Sequence, residues 1–154
     1  LFDSTITWNR QAWGVHATVA RLVREGAMPP LIVVGVPNAG KRRHAEFFPQ
    51  RALAHLPPAA RDSLVRFAFD GAARADAYLR FVVREVKPLV DRRFATKPDV
   101  QDTFVMGSSM GGLVSLYALC EYPDVFGGAA ALSTHWVGTG RANATIPLVY
   151  SGQE

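Results

Sequence analysis

The residues best suited to covalent chemistry fall within one stretch, residues 104–120, FVMGSSMGGLVSLYALC. Two adjacent serines stand there between glycines, where a strand-like run gives way to a helix-like one. Gly107 lies two before Ser109 and Gly111 two after it, whereas Ser108 has Met106 and Met110 at those offsets. Ser109 is therefore the candidate nucleophile. A strand that turns sharply into a helix strains the residue at its apex, and side chains at minus two and plus two are expected to collide with the neighbouring helix and strand. The apex also sets the serine oxygen at a helix amino end, where free N–H groups and the positive end of the macrodipole stabilise a developing oxyanion. Met110 is expected to supply one such N–H. A merely flexible Gly/Ser turn is the plainer alternative, but the strand before and the apolar helix after match the context that the chemistry needs.

The elements that must position Ser109 follow from periodicity. Residues 8–26 carry Trp13, Val15, Val19, Leu22 and Val23 at mostly helical spacing, with Gly26 as the stop, which predicts a surface helix. Pro29 and Pro30 precede LIVVGV, residues 31–36, a continuous apolar run rich in β-branched residues that predicts a strand buried on both faces. Residues 37–73, punctuated by Pro49, Pro57 and Pro58, are too irregular to assign. From Arg74 a helix is expected with Tyr78, Leu79, Val82, Val86, Leu89 and Val90 in one stripe, Arg80, Arg84, Lys87 and Asp91 outward, and a kink at Pro88. Residues 103–106 predict a strand, the helix after Gly111 is apolar nearly all round through Cys120, and residues 126–132 and 146–150 are further strand candidates. Strands alternating with helices argue for an α/β fold with a doubly wound, mostly parallel sheet.

Composition excludes several classes. The chain has 154 residues, 49% hydrophobic and 10% aromatic, enough for one sizeable core and a single domain over residues 1–154. No apolar run approaches the roughly 20 residues of a membrane span. The net charge of +4 comes from scattered arginines; only Lys41, Arg42, Arg43 and His44 form a basic run, and no aromatic residues interleave with it, which argues against a nucleic-acid partner. The lone Cys120 cannot form an internal disulfide. No His, Cys or carboxylate cluster shows metal-ligand spacing, and no cofactor is expected. The chain starts without methionine and ends just past a strand-like run, so it reads as a fragment. Localisation stays open.

A rival motif is Gly35–Lys41 within GVPNAGKR, which fits the first seven positions of a phosphate-binding loop after a hydrophobic run. Its last position decides against it: Arg42 stands where Ser or Thr must ligate Mg²⁺. RHAEFFPQ also brings Pro49 within two turns and shows no helical stripe.

Taken together, FVMGSSMGGLVSLYALCEYPDVFGGAAALSTHW resembles the nucleophile region of the putative esterase family of α/β-hydrolases. That group includes enterochelin-esterase-like enzymes, S-formylglutathione hydrolases, feruloyl esterase domains and mycolyltransferases. LIVVGVPNAGKRRHAEFFP is similar to its second marker, with Asn38 in the loop and Arg43, Glu46 and Phe47 after it, and LFDSTITWN resembles the tail of its strand-end motif. The resemblance implies an α/β-hydrolase fold and hydrolysis of a small-molecule ester through an acyl-enzyme on Ser109, with Met110 N–H as one half of the oxyanion hole. The family's second donor precedes LFD and is absent from this sequence.

In this fold the acid and then the histidine follow the nucleophile. His135 is the one histidine downstream of Ser109, at the end of the very next strand candidate, which makes it a weak base candidate and more plausibly a pocket residue beside Trp136. Glu154, just past a strand-like run, is a weak acid candidate; Asp124 fits a turn. The expected base therefore lies beyond residue 154. Asn38 either reaches substrate or serves its turn, Arg43 and Glu46 are expected to pair, His16 and His55 receive no role, and Trp8, Trp13 and Trp136 read as core or pocket wall. A catalytically silent relative that binds a partner or ligand is the other class to weigh.

Overall fold

The computed structural model describes residues 10–136. The chain divides into two compact units, Leu1–Pro37 and Asn38–Glu154. The candidates at Glu154, in residues 146–150 and in the opening LFDSTITWN lie outside the described residues.

In the first unit, helix α1 spans Val15–Arg24 with no buried residue, the surface helix that the spacing predicts. It ends in a Schellman arrangement: Ala27 N–H donates to Leu22 O (2.9 Å) and Gly26 N–H to Val23 O (3.1 Å), with Gly26 at φ 67°. The strand expected over residues 31–36 is not formed; no strand pairs with it among the described residues, and Leu31, Ile32 and Val34 are exposed. An apolar, β-branched run expresses a demand for burial, but a strand also needs a neighbour to accept its ladder bonds.

The second unit fills the stretch that periodicity left unassigned. Helix α2 (Arg43–Phe47), a 3₁₀ turn (Gln50–His55) and helix α3 (Pro58–Phe67) follow one another. Pro58 opens α3 because the first helical position needs no N–H donor. This segment contributes Ala45, Phe47, Phe48, Leu56 and Phe69 to the core, with Phe48 and Phe69 rings 4.9 Å apart.

Helices α4 (Ala75–Phe81) and α5 (Lys87–Arg93) run together through a π turn at Val82–Val86. The π turn immediately precedes Pro88, whose ring removes a donor and crowds the carbonyl of Arg84; a widened turn is one way a helix passes such a residue. Ala75, Leu79 and Val83 are the buried members, while Tyr78 and Val82 flank them and Leu89 is exposed, so the buried stripe is rotated from the expected one.

Strand β1 (Phe104–Ser108), helix α6 (Met110–Glu121) and strand β2 (Gly128–Leu132) form a β–α–β unit with the strands parallel, Phe104 opposite Gly128 and Ser108 opposite Leu132. Among the described residues the sheet has these two parallel strands, and the larger doubly wound sheet expected from the sequence is not seen there. Helix α6 buries Met110, Leu113, Val114, Ser115, Tyr117 and Ala118, which explains its apolar circumference, but Cys120 at its far end is exposed. No helix among the described residues is long and apolar enough to cross a membrane.

Candidate active site

Strand β1 ends at Ser108 and α6 begins at Met110, so one residue makes the whole reversal. Ser109 sits at φ 58°, ψ −123°, a conformation that residues bearing a Cβ rarely adopt and that persists only when the surroundings impose it. The surroundings are four backbone hydrogen bonds. Ser109 N–H donates to Leu132 O (2.9 Å), extending the ladder one residue past β1. Its carbonyl accepts from Gly112 N–H (3.1 Å), Leu113 N–H (3.3 Å) and His135 N–H (3.2 Å). Two of these partners belong to α6 and two to β2 or the turn beyond it.

Ser109 is half-buried, and Met110 beside it is almost wholly buried. As the first residue of α6, Met110 has an N–H with no acceptor inside the helix, and it meets none among the other described residues. A half-buried hydroxyl beside an unpaired helix-start N–H is an arrangement that can place an oxygen nucleophile near a donor for an anion.

Each glycine of the motif has its own role. A Cβ on Gly107 would lie inside the carbonyl carbon and oxygen of Gly111, with the Gly111 Cα 2.8 Å away. That oxygen is also the acceptor of the buried Ser115 hydroxyl (2.8 Å), which holds it in place. The collision expected at Gly107 is therefore present, but the one expected at Gly111 is not: a Cβ there meets open space. The second crowded position is Gly112, where a Cβ would stand 2.7 Å from Thr134 Oγ1, 3.3 Å from Gly107 O and 3.4 Å from the Ala131 Cα. Sequence reasoning missed Gly112 and Thr134; the doubled glycine at 111–112 was the available signal.

The other candidates are placed as follows. His135 comes to Ser109 through its main chain. Trp136, on the same turn, is about half exposed and donates its N–H to Thr134 O (3.1 Å), and Trp13 is as exposed, so neither is a core residue. Asn38 forms a local turn, its Oδ1 accepting from Gly40 N–H (2.9 Å). Glu46 orders this loop by accepting from Ala39 N–H (2.9 Å); among the described residues it forms no ion pair with Arg43. No described contact joins Asn38 to Ser109.

Helix α6 is fixed from behind by a polar group of contacts. Tyr117 donates its hydroxyl to Asp76 Oδ1 (2.7 Å) and accepts from Arg51 N–H (3.4 Å), while Arg51 Nη2 stands 3.1 Å from Glu121 Oε2. Burial, then the bond to Asp76, pushes the Tyr117 phenol far above its ordinary value of 10. Burial, with the charge of Glu46 second, pushes Tyr78 up to about 12. Both phenols thus stay neutral at physiological pH, and Tyr117 acts as a structural donor to Asp76.

Residues 1–144 match the family model described as putative esterase. Ferri-bacillibactin esterase BesA of Bacillus subtilis is 28% identical over 144 residues, 88% of this chain and 47% of that protein. The uncharacterized protein YbbA of the same organism is 24% identical over 110 residues, 71% of this chain and 40% of that protein. The chain thus spans less than half the length of these relatives. No solved structure matches.

Proposed function

Because the chain belongs to the putative esterase family, we propose that it carries the nucleophile of a serine ester hydrolase with Ser109 as the attacking residue. The observation that carries this reading is the backbone of Ser109 at φ 58°, ψ −123° between β1 and α6, next to the Met110 N–H, which meets no acceptor among the described residues. Ser109 Oγ attacks the ester carbonyl carbon while its proton passes to a general base. The carbonyl oxygen becomes an oxyanion facing Met110 N–H, and collapse expels the alcohol, which takes up the proton. Water then cleaves the acyl-serine to release the acid and restore the hydroxyl. The strain of Ser109 keeps its side chain clear of the strand and helix hydrogen bonds, available to substrate.

In keeping with the length of the relatives, we assign the base and its acid partner to further residues of a longer protein. The same longer protein would supply the second oxyanion donor. The name of the 28% relative makes ferri-bacillibactin one substrate to test. Incubation with a fluorophosphonate and peptide mapping tests the reading: one adduct on Ser109 is expected, and none on Ser109→Ala.

The phosphate-loop alternative loses its donors. The backbone N–H groups of Ala39 and Gly40, which would have to face a phosphate, are taken by Glu46 and Asn38. The helix that follows has only five residues.

A further inference from the structure

The turn over residues 133–136 is held against the Ser109 reversal at two points that the ester-hydrolysis reading does not use. Its His135 N–H closes on Ser109 O at 3.2 Å, and its Thr134 Oγ1 rests over Gly112, close enough that a single added methyl would stand 2.7 Å away. The turn is itself strained, with Ser133 at φ 43°, immediately after the β2 residue whose carbonyl binds Ser109 N–H. Trp136 N–H to Thr134 O (3.1 Å) closes it. Two serines in left-handed backbone therefore stand side by side at the ends of β1 and β2. The second reversal is braced on the first.

We propose that the 133–136 turn is a positioning element for Ser109: Thr134 seats it on the bare Cα of Gly112, and from that seat His135 N–H fixes the Ser109 carbonyl and hence the direction of the Ser109 hydroxyl. The proposal rests on Ser109 being the nucleophile. The role of Gly112 follows without further assumption. A methyl there displaces the Thr134 oxygen, shifts the turn outward and lengthens a hydrogen bond already longer than the usual mode. Misplacing a reacting group by a fraction of an ångström slows its reaction while leaving recognition of the ligand intact.

The test measures, on protein produced from the complete gene, the rate constant and the initial binding constant for phosphonylation of Ser109, together with exchange of the His135 amide hydrogen. Gly112→Ala is expected to lower the rate constant about tenfold or more with the binding constant unchanged, and to speed exchange at His135. Adding Thr134→Ala removes the closest clash and is expected to restore most of both, a non-additivity that a general loss of stability would not produce. Should Gly112→Ala alone fail to fold, the double variant must fold and label. A Gly112→Ala protein that labels at the parental rate overturns the proposal, as does a double variant that labels as slowly as the single one or does not fold. A parent that does not label at Ser109 would instead remove the hydrolase reading and this proposal with it, a result distinct from slow labelling of the variants.

Discussion

Two glycine-bearing turns in this chain carry sequence motifs for catalysis or anion binding, and they treat their backbone donors in opposite ways. At residues 38–41 the chain satisfies itself: Asn38 Oδ1 takes Gly40 N–H and the Glu46 carboxylate takes Ala39 N–H. At residues 107–112 the chain uses the Ser109 carbonyl as a threefold acceptor and holds the residue in left-handed backbone, yet leaves Met110 N–H unpaired among the described residues. A motif of glycines and small polar residues fixes where a turn falls. Whether the turn can bind a charge depends on which donors remain for a ligand once local side chains have been served.

Substitutions at the two turns should separate them, and the largest effect is expected at Ser109, the proposed nucleophile. Ser109→Ala is expected to lower ester turnover by about 10³-fold or more and to abolish phosphonylation, whereas Lys41→Ala stays within about twofold in the same assay. Next come the two glycines flanking Ser109, which the sequence treats alike and the structure does not. Gly107→Ala drives a methyl into the Gly111 carbonyl and should destabilise the fold by about 3 kcal/mol in thermal or urea unfolding. Gly111→Ala meets open space inside a helix and should be neutral or stabilising by up to about 1 kcal/mol.

Smaller effects concern the closed turn and a site remote from both. Glu46→Ala removes the acceptor of Ala39 N–H and should destabilise by about 1 kcal/mol, with ATP titrations heat-silent before and after. Asp91 is held below its ordinary 3.8, first by the hydrogen bond from Lys87 (2.8 Å), with Thr96 also donating. A carboxyl with a depressed folded pKa adds stability that is fully present above its unfolded value and is lost as pH falls through the folded one. Asp91→Asn should therefore lower the melting temperature slightly at pH 7 and flatten its decline below about pH 4, leaving Ser109 labelling unchanged.

The β1–α6–β2 unit was legible because most of its parts announce themselves locally: a short apolar run at residues 103–106, a strand-to-helix turn with paired glycines, and a helix too apolar for a surface. The segment from Asn38 to Gly71 was not, since its helices are short and proline-bounded and their apolar residues, Phe47, Phe48, Leu56 and Phe69, are gathered by tertiary contact rather than by period. Residues 31–36 misled for a related reason: hydrophobicity predicts burial but not a hydrogen-bonding neighbour. Within the site, Ser109 and Gly107 could be read from spacing. The importance of Gly112 over Gly111 could not, because it depends on Thr134, more than twenty residues away, folding back over the helix start.

The most direct test of the central claim is intact-mass and peptide-mapped phosphonylation of the protein produced from its complete gene. A single adduct, localised to Ser109 and absent from Ser109→Ala, is the predicted result. A protein that folds and hydrolyses esters but carries its adduct elsewhere, or that takes up no adduct at all, would contradict the assignment of Ser109 as the nucleophile.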